Sequence, residues 1–268
     1  QKSTASDSVA PSIKDHSVAE NTLEDVEHEY FYVDTAEKRQ TLLQRLEKSN
    51  CFAFDTETDS LNPLEAELVG ISFAFQAHEA FYLPIPAERE PAQVILDEFK
   101  AVFENEKIEK VAQNIKYDML VLRKYDIRVA GFFWDTMILH YLYEPDLRHN
   151  MDFMAESYLK YKPIPIKNLI GKKGKNQKSM RDIPQEDIVE YAAEDADITW
   201  QLCEFLRDEM KDRTIEKIYK EIEEPLITVL ADMEEEGVGF DSQQMEALAK
   251  ELKDKINTIE KEIYEEAG

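Results

Sequence analysis

An α/β fold, with a mixed sheet flanked by helices and followed by C-terminal helices, is predicted by three observations. Short apolar runs at residues 51–55, 68–75 and 80–84 follow one another closely and have the lengths of strands. Helical periodicities then alternate with further short apolar runs, the pattern of helices layered on a sheet. Beyond Tyr143 the periodicity is helical with interruptions. The first run, CFAFD, is short and apolar, which suits a central strand covered on both faces.

Taken in order, residues 1–28 are rich in Ser, Ala, Asp and Glu and read as a linker. A brief strand is expected at 30–33. An amphipathic helix is expected over Ala36–Lys48, with Leu42, Leu43 and Leu46 on its apolar face. After the three strands come a helix at 92–103, a strand at 110–113, a helix at 115–125, a strand at 132–134 and a helix over Thr136–Tyr143. A short helix at 151–159 leads into a Pro- and Gly-containing loop at 160–182, and a long helix follows over Gln185–Met210. Past Thr214, Ile215, Ile218, Ile222, Leu226, Val229, Leu230 and Met233 are expected on one helix face. Gly237 marks its stop, and Asp241 caps a last helix at 242–266.

The length of 268 residues allows one large domain with additions, and an apolar fraction of 43% is ample for a core. A net charge of −25 looks wrong for a nucleic-acid binder, since phosphate contacts need Lys and Arg. The charge is segregated, however. Residues 160–181 hold eight basic side chains and no acid, whereas residues 214–268 hold sixteen acids against six bases. Nucleic acid therefore stays open as a partner. Cys51 and Cys203 have no neighbouring Cys to form a zinc knuckle, and both read as reduced core residues of a cytoplasmic protein. No apolar run approaches a membrane span, so no membrane partner is expected. The chain begins at Gln1 and is expected to be a piece of a longer polypeptide.

The residues that carry chemistry are four carboxylates and a tyrosine. Asp55 and Glu57 end the first apolar run and leave one face of a strand. Asp118 follows Asn114 by one helical turn, where the Asn could donate to a phosphate, and Tyr191 precedes Asp195 by one turn. Carboxylates gathered at a buried strand end repel one another and lose hydration. Hard divalent ions with oxygen ligands compensate that cost. Two such ions suit an in-line phosphodiester cleavage.

These strings carry a resemblance. FAFDTETDSL, QNIKYD and YAAEDAD resemble the three motifs of the proofreading 3′–5′ exonuclease domain of bacterial family A DNA polymerase I, a DEDDy exonuclease of RNase H-like fold. WDTM, MDFMAESYL and GKKGKNQ resemble supporting strings of the same family. The resemblance implies a 3′–5′ exonuclease domain at 29–212 and, at 213–268, the truncated helical start of the polymerase domain. It implies that Asp55, Glu57 and Asp195 hold one divalent ion, Mg²⁺ or else Mn²⁺ or Zn²⁺. Asp118, with a share of Asp55, would hold a second, and Tyr191 would orient the attacking water. Leu61 matches a wedge at the terminal base, and Gln113, Asn114 and Tyr117 match positions near the terminal nucleotide. Leu61 and Tyr117 read equally well as core residues.

Lys172, Lys173 and Lys175 lie in the basic loop, which suits a sequence-tolerant track for a single-stranded DNA 3′ end. Where relatives can place an aromatic before the GKGKNQ-like string, this chain has Ile164 and Ile166. The implied partners are DNA and the rest of the polymerase chain, in a bacterial, nucleoid-associated setting. Two other readings share the motifs. One is an RNase D-like exoribonuclease, and the other is a catalytically weak structural domain. The polymerase-like helices disfavour the first, and the survival of all four acids and the tyrosine disfavours the second.

Overall fold

β1 (Glu29–Tyr32) and α1 (Ala36–Lys48) open the sheet domain of the computed structural model, which describes residues 19–211 and 214–268. They are followed by β2 (Cys51–Thr58), β3 (Leu68–Gln76), β4 (Glu79–Pro84), α2 (Arg89–Phe103), β5 (Glu109–Ala112), α3 (Ile115–Arg123), β6 (Phe133–Asp135) and α4 (Thr136–Tyr143). Two short helices, α5 (Met151–Met154) and α6 (Lys167–Ile170), precede the long α7 (Gln185–Met210). Then come α8 (Thr214–Ile218), α9 (Glu224–Glu236) and α10 (Ser242–Ala267). The helix expected at 151–159 is α5 continued by a π turn, Ala155–Leu159.

The sheet is mixed, with order β1-β4-β3-β2-β5-β6. β2 pairs antiparallel with β3 and parallel with β5, so it is central, as its apolar run predicts. Its alternation is asymmetric in size. Phe52 and Phe54 face a layer of α1, α2 and α3, where they meet Phe73, Phe99 and Phe103. On the other face Ala53, Ala74 and Ala80 meet Ala193 and Ala196 of α7, all fully buried. Small residues on both sides let a helix approach a sheet closely, and this closeness matters for the site.

One expectation, the helix face past Thr214, is corrected. Residues 1–18 of the expected linker lie outside the described residues, and its described part makes backbone contacts. Glu20 and Asn21 donate backbone N–H to the Lys160 carbonyl (2.9 and 3.2 Å), and Lys162 returns one to Asn21 (2.9 Å). Backbone pairing, which composition does not reveal, holds that stretch. Past Thr214, Ile222, Leu226, Val229 and Leu230 are exposed, while Tyr219, Ile227 and Ala231 are buried. A π turn at Tyr219–Glu223 adds a residue and shifts the buried face by one position.

The chain divides into two compact units. The first extends past the boundary expected at 212/213 and ends at Asp232. In the second, Met233–Gly268, Gly237 at φ 76° ends α9, its N–H reaching the Met233 carbonyl at 3.0 Å. Asp241 caps α10 by accepting the Gln244 N–H at 3.1 Å.

Gly70 lies opposite Glu57 in the sheet, and the Tyr82 ring crosses it to reach Gln185 at the start of α7 (2.7 Å). A Cβ at Gly70 would meet that ring at 2.3 Å. Gly70→Ala should therefore destabilise the fold by about 1–3 kcal/mol in urea unfolding, as overpacking does. An unchanged midpoint would mean that the ring moves aside freely.

Candidate metal centre

Strand alternation in β2 sends Asp55 and Glu57 the way of Ala53, toward α7, and Thr56 the way of Phe54, toward α3. α7 lies close over the alanine face and brings Asp195 to meet the first pair. One carboxylate oxygen from each of Asp55, Glu57 and Asp195 lies within 4.8 Å of the others. Asp118 comes from the opposite layer, on the first turn of α3. Thr56 fixes it with two bonds to Oδ1, from its backbone N–H (3.1 Å) and its hydroxyl (2.5 Å).

Burial is the first cause of an upward pKa shift at each of these acids. Asp55 is pushed up to about 7. Glu57 rises well above the carboxylate range, and the charges of Asp55 and Asp118 add to the burial. Asp118 and Asp195 rise likewise, each with Asp55 as the leading charge. Among the described residues, no Lys or Arg counters the rise at any of the four. Glu57 Oε1 is buried without a hydrogen-bond partner among the described residues. Oxygen-rich and partly unsatisfied, this donor set fits hard divalent ions. Tyr191 lies beside it, and its hydroxyl pKa is raised by burial and then by Asp195, Glu57 and Asp55. The hydroxyl therefore keeps its proton and remains a donor.

The acids form the floor of a cleft of about 610 Å³. Leu61 stands at its edge, 97% exposed, which excludes the core reading for that residue. Tyr117 lines the cleft and braces the loop after β2, its hydroxyl 2.5 Å from both Thr58 Oγ1 and the Ser60 carbonyl. Gln113 also lines it, but its amide is already engaged, donating to the His149 carbonyl (2.8 Å) and accepting from the Thr136 hydroxyl. Asn114 adopts the left-handed conformation (φ 62°), which Asn tolerates, and its side chain makes no cap bond. Lys172, Lys173 and Lys175 are exposed on the basic loop outside the cleft lining, whereas Ile166, Ile170, Gln177 and Lys178 of that loop line it.

Two carboxylates that sequence reading missed hold these parts in place. Asp135 accepts backbone N–H groups from Asn114 (3.2 Å), Ile115 (2.9 Å), Met137 (2.9 Å) and Ile138 (3.2 Å), capping both α3 and α4. Burial raises its pKa to about 6 against those four donors. The Asp-Thr pair opening a helix in WDTM is a legible capping signal for it. Glu194, fully buried beside Asp195, accepts the Tyr161 hydroxyl (2.5 Å) and the Ile164 N–H (2.6 Å), tying the start of the basic loop to α7.

The family model described as 3′–5′ exonuclease matches residues 30–211, most of the chain. The chain belongs to the 3′–5′ exonuclease family. DNA polymerase I of Borreliella burgdorferi is 32% identical over 252 residues, which cover 92% of this chain and 27% of that protein. DNA polymerase I of Rhizobium leguminosarum is 35% identical over 240 residues, covering 81% and 23%. The exonuclease chain thus spans about a quarter of the length of these curated relatives. Among solved structures, the POL domain of Pol1 from M. smegmatis, in complex with DNA primer-template and dNTP, superposes with TM-score 0.67 at 17% identity. That match covers 85% of this chain and 36% of that one. Brucella melitensis NrnC bound to pGG superposes with TM-score 0.56 at 17% identity, covering 77% and 91%. These likenesses establish the RNase H-like fold. Among the described residues, no helix is long and apolar enough to cross a membrane.

Metal-stripped exonuclease should lose stability as pH rises from about 4, where an unfolded Asp ionises, to about 7, where folded Asp55 does. In that window the folded state binds the proton more tightly, so deprotonation favours unfolding. Urea unfolding at both ends of the window should show a larger loss for the wild type than for Asp55→Asn. Equal losses would mean that the carboxylate is not confined with its neighbours.

Proposed function

We propose that this site removes 3′-terminal nucleotides from single-stranded or frayed DNA as nucleoside monophosphates, as the proofreading part of a DNA polymerase I. The observation that carries the proposal is the convergence of Asp55, Glu57 and Asp195 within 4.8 Å, with Asp118 held across from them by Thr56. Asp55, Glu57 and Asp195 would hold one divalent ion, and Asp118 with Asp55 a second, most simply Mg²⁺ or Mn²⁺. When bound, such ions supply an activated water and a place for the charge that develops on the departing 3′ oxygen.

The other groups of the chain position the strand. Tyr191 keeps its hydroxyl proton and directs that donor at the attacking water. Leu61 offers an exposed apolar face to the terminal base. Asn114, whose side chain is not used as a cap, offers an amide to the terminal phosphate. The basic loop carries the preceding phosphates, with Lys178 in the cleft and Lys172, Lys173 and Lys175 beyond it. A bacterial cytoplasmic setting near the nucleoid follows from this reading.

The acids and the tyrosine separate in a gel assay of a 5′-labelled single strand with Mg²⁺ or Mn²⁺. Asp55→Ala should abolish hydrolysis and the rise in melting temperature that the metal causes. Retained hydrolysis in that variant would sink the assignment. Tyr191→Phe should keep the metal-induced rise while turnover drops roughly 10- to 1000-fold, as expected for one transition-state hydrogen bond. Turnover at the wild-type level would make Tyr191 a packing residue. Running an RNA strand of the same sequence alongside tests the choice of DNA.

Neutralising Lys172, Lys173 and Lys175 together should weaken single-strand binding whatever the base sequence. Each lost phosphate contact should flatten the log–log salt dependence by about 0.7. An unchanged slope would remove these lysines from the DNA track.

A further inference from the structure

The sheet ends at β6, and an edge strand leaves a row of backbone groups without strand partners. β6 pairs with β5 on one side only, where Lys110 N–H meets the Phe132 carbonyl. Its outward groups are met by two side chains from beyond the segment that matches the exonuclease family. The Tyr219 hydroxyl accepts the Asp135 N–H at 2.6 Å and donates to the Phe133 carbonyl at 2.8 Å. Glu224 Oε1 accepts the Phe133 N–H at 3.1 Å. Tyr219 is fully buried, and its ring stacks on Trp134 with centroids 5.6 Å apart and planes 1° from parallel.

What Tyr219 holds is the residue that orients the helix bearing Asp118. The Asp135 carboxylate caps α3 through Asn114 and Ile115, one turn before Asp118. A rotation of Asp135 about the strand would move the start of α3, and with it Asp118 relative to Asp55. We infer that Tyr219 is a positioning residue for the metal centre, so that the segment after residue 213 completes the nuclease site although it contributes no ligand. The inference rests on the function proposed above. It extends that function, because it makes the geometry of the site depend on a segment outside the family match.

Metal-stripped full-length chain and its variants would be titrated with Mn²⁺, reading the rise in melting temperature, and then assayed on the labelled strand. Tyr219→Phe keeps the ring on Trp134 and loses only the hydroxyl. It should need roughly 10-fold more Mn²⁺ for half of its thermal shift, and its turnover at saturating strand should fall by a similar factor, as with other outer partners of metal ligands. Its melting temperature without metal should fall modestly, because the Asp135 N–H and the Phe133 carbonyl lose their partner, whereas Tyr219→Leu, which also loses the stacking, should melt lower still. Tyr219→Phe with the wild-type Mn²⁺ response and turnover would overturn the inference, whatever its melting temperature.

If Tyr219→Phe does not fold, Glu224→Ala decides, because it frees the Phe133 N–H at the same edge without opening a core cavity. A weakened Mn²⁺ response there supports the inference, and an unchanged one overturns it. Should the wild type bind Mn²⁺ yet cleave nothing, the proposed function fails while the thermal titration still tests Tyr219.

Discussion

Four carboxylates drawn together at the end of one central strand, with no opposing cation among the described residues, are the constraint on which the rest of this structure depends. Isolated buried charge is costly, and like charges in one site cannot all ionise unaided. The fold forces the encounter all the same. Ala53, Ala74 and Ala80 on the sheet and Ala193 and Ala196 on α7 let the helix carrying Asp195 settle close to Asp55 and Glu57. On the other face, large aromatic residues fill the space under α1, α2 and α3. The core is therefore thin where chemistry needs contact and thick where it needs support. A donor set that is destabilising when empty is one that divalent cations stabilise.

Around that point the structure uses fixed hydrogen bonds rather than packing alone. Thr56, itself between two of the acids in sequence, holds Asp118 with both its backbone and its hydroxyl. Asp135 takes four N–H groups and so fixes the starts of α3 and α4 together. Glu194 anchors the start of the basic loop one residue from Asp195. These carboxylates accept from backbone or tyrosine donors and stay beside the centre, so they shape it without joining the four clustered acids. Rigid surroundings of this kind keep reacting groups in register.

Much of this was legible in the sequence, for physical reasons. Ala36–Lys48, Thr136–Tyr143 and Gln185–Met210 keep the limits that capping residues and periodicity predict. The central strand reads from its apolar run, and the acids stand out because a buried strand end seldom carries two. Other features depend on partners distant in the chain. The π turn at Tyr219–Glu223 has no periodic signature, so the buried face after it is displaced by one residue. The pairing of Glu20 and Asn21 with Lys160 involves backbone alone. Asp135 was visible as part of a motif, but its hold on two helices required knowing that β6 lies beside β5. For Leu61, 97% exposure settles what its type leaves open.

The central claim is that the four acids form one centre for two cations, three ligands from one face of the sheet and a fourth across it. Calorimetric titration of the metal-stripped chain with Mn²⁺ tests this most directly. The claim predicts saturable binding of two ions to the wild type and loss of one of them in Asp118→Asn, with the other site intact. Absence of saturable binding in the wild type, or an Asp118→Asn titration that overlays it, would contradict the claim.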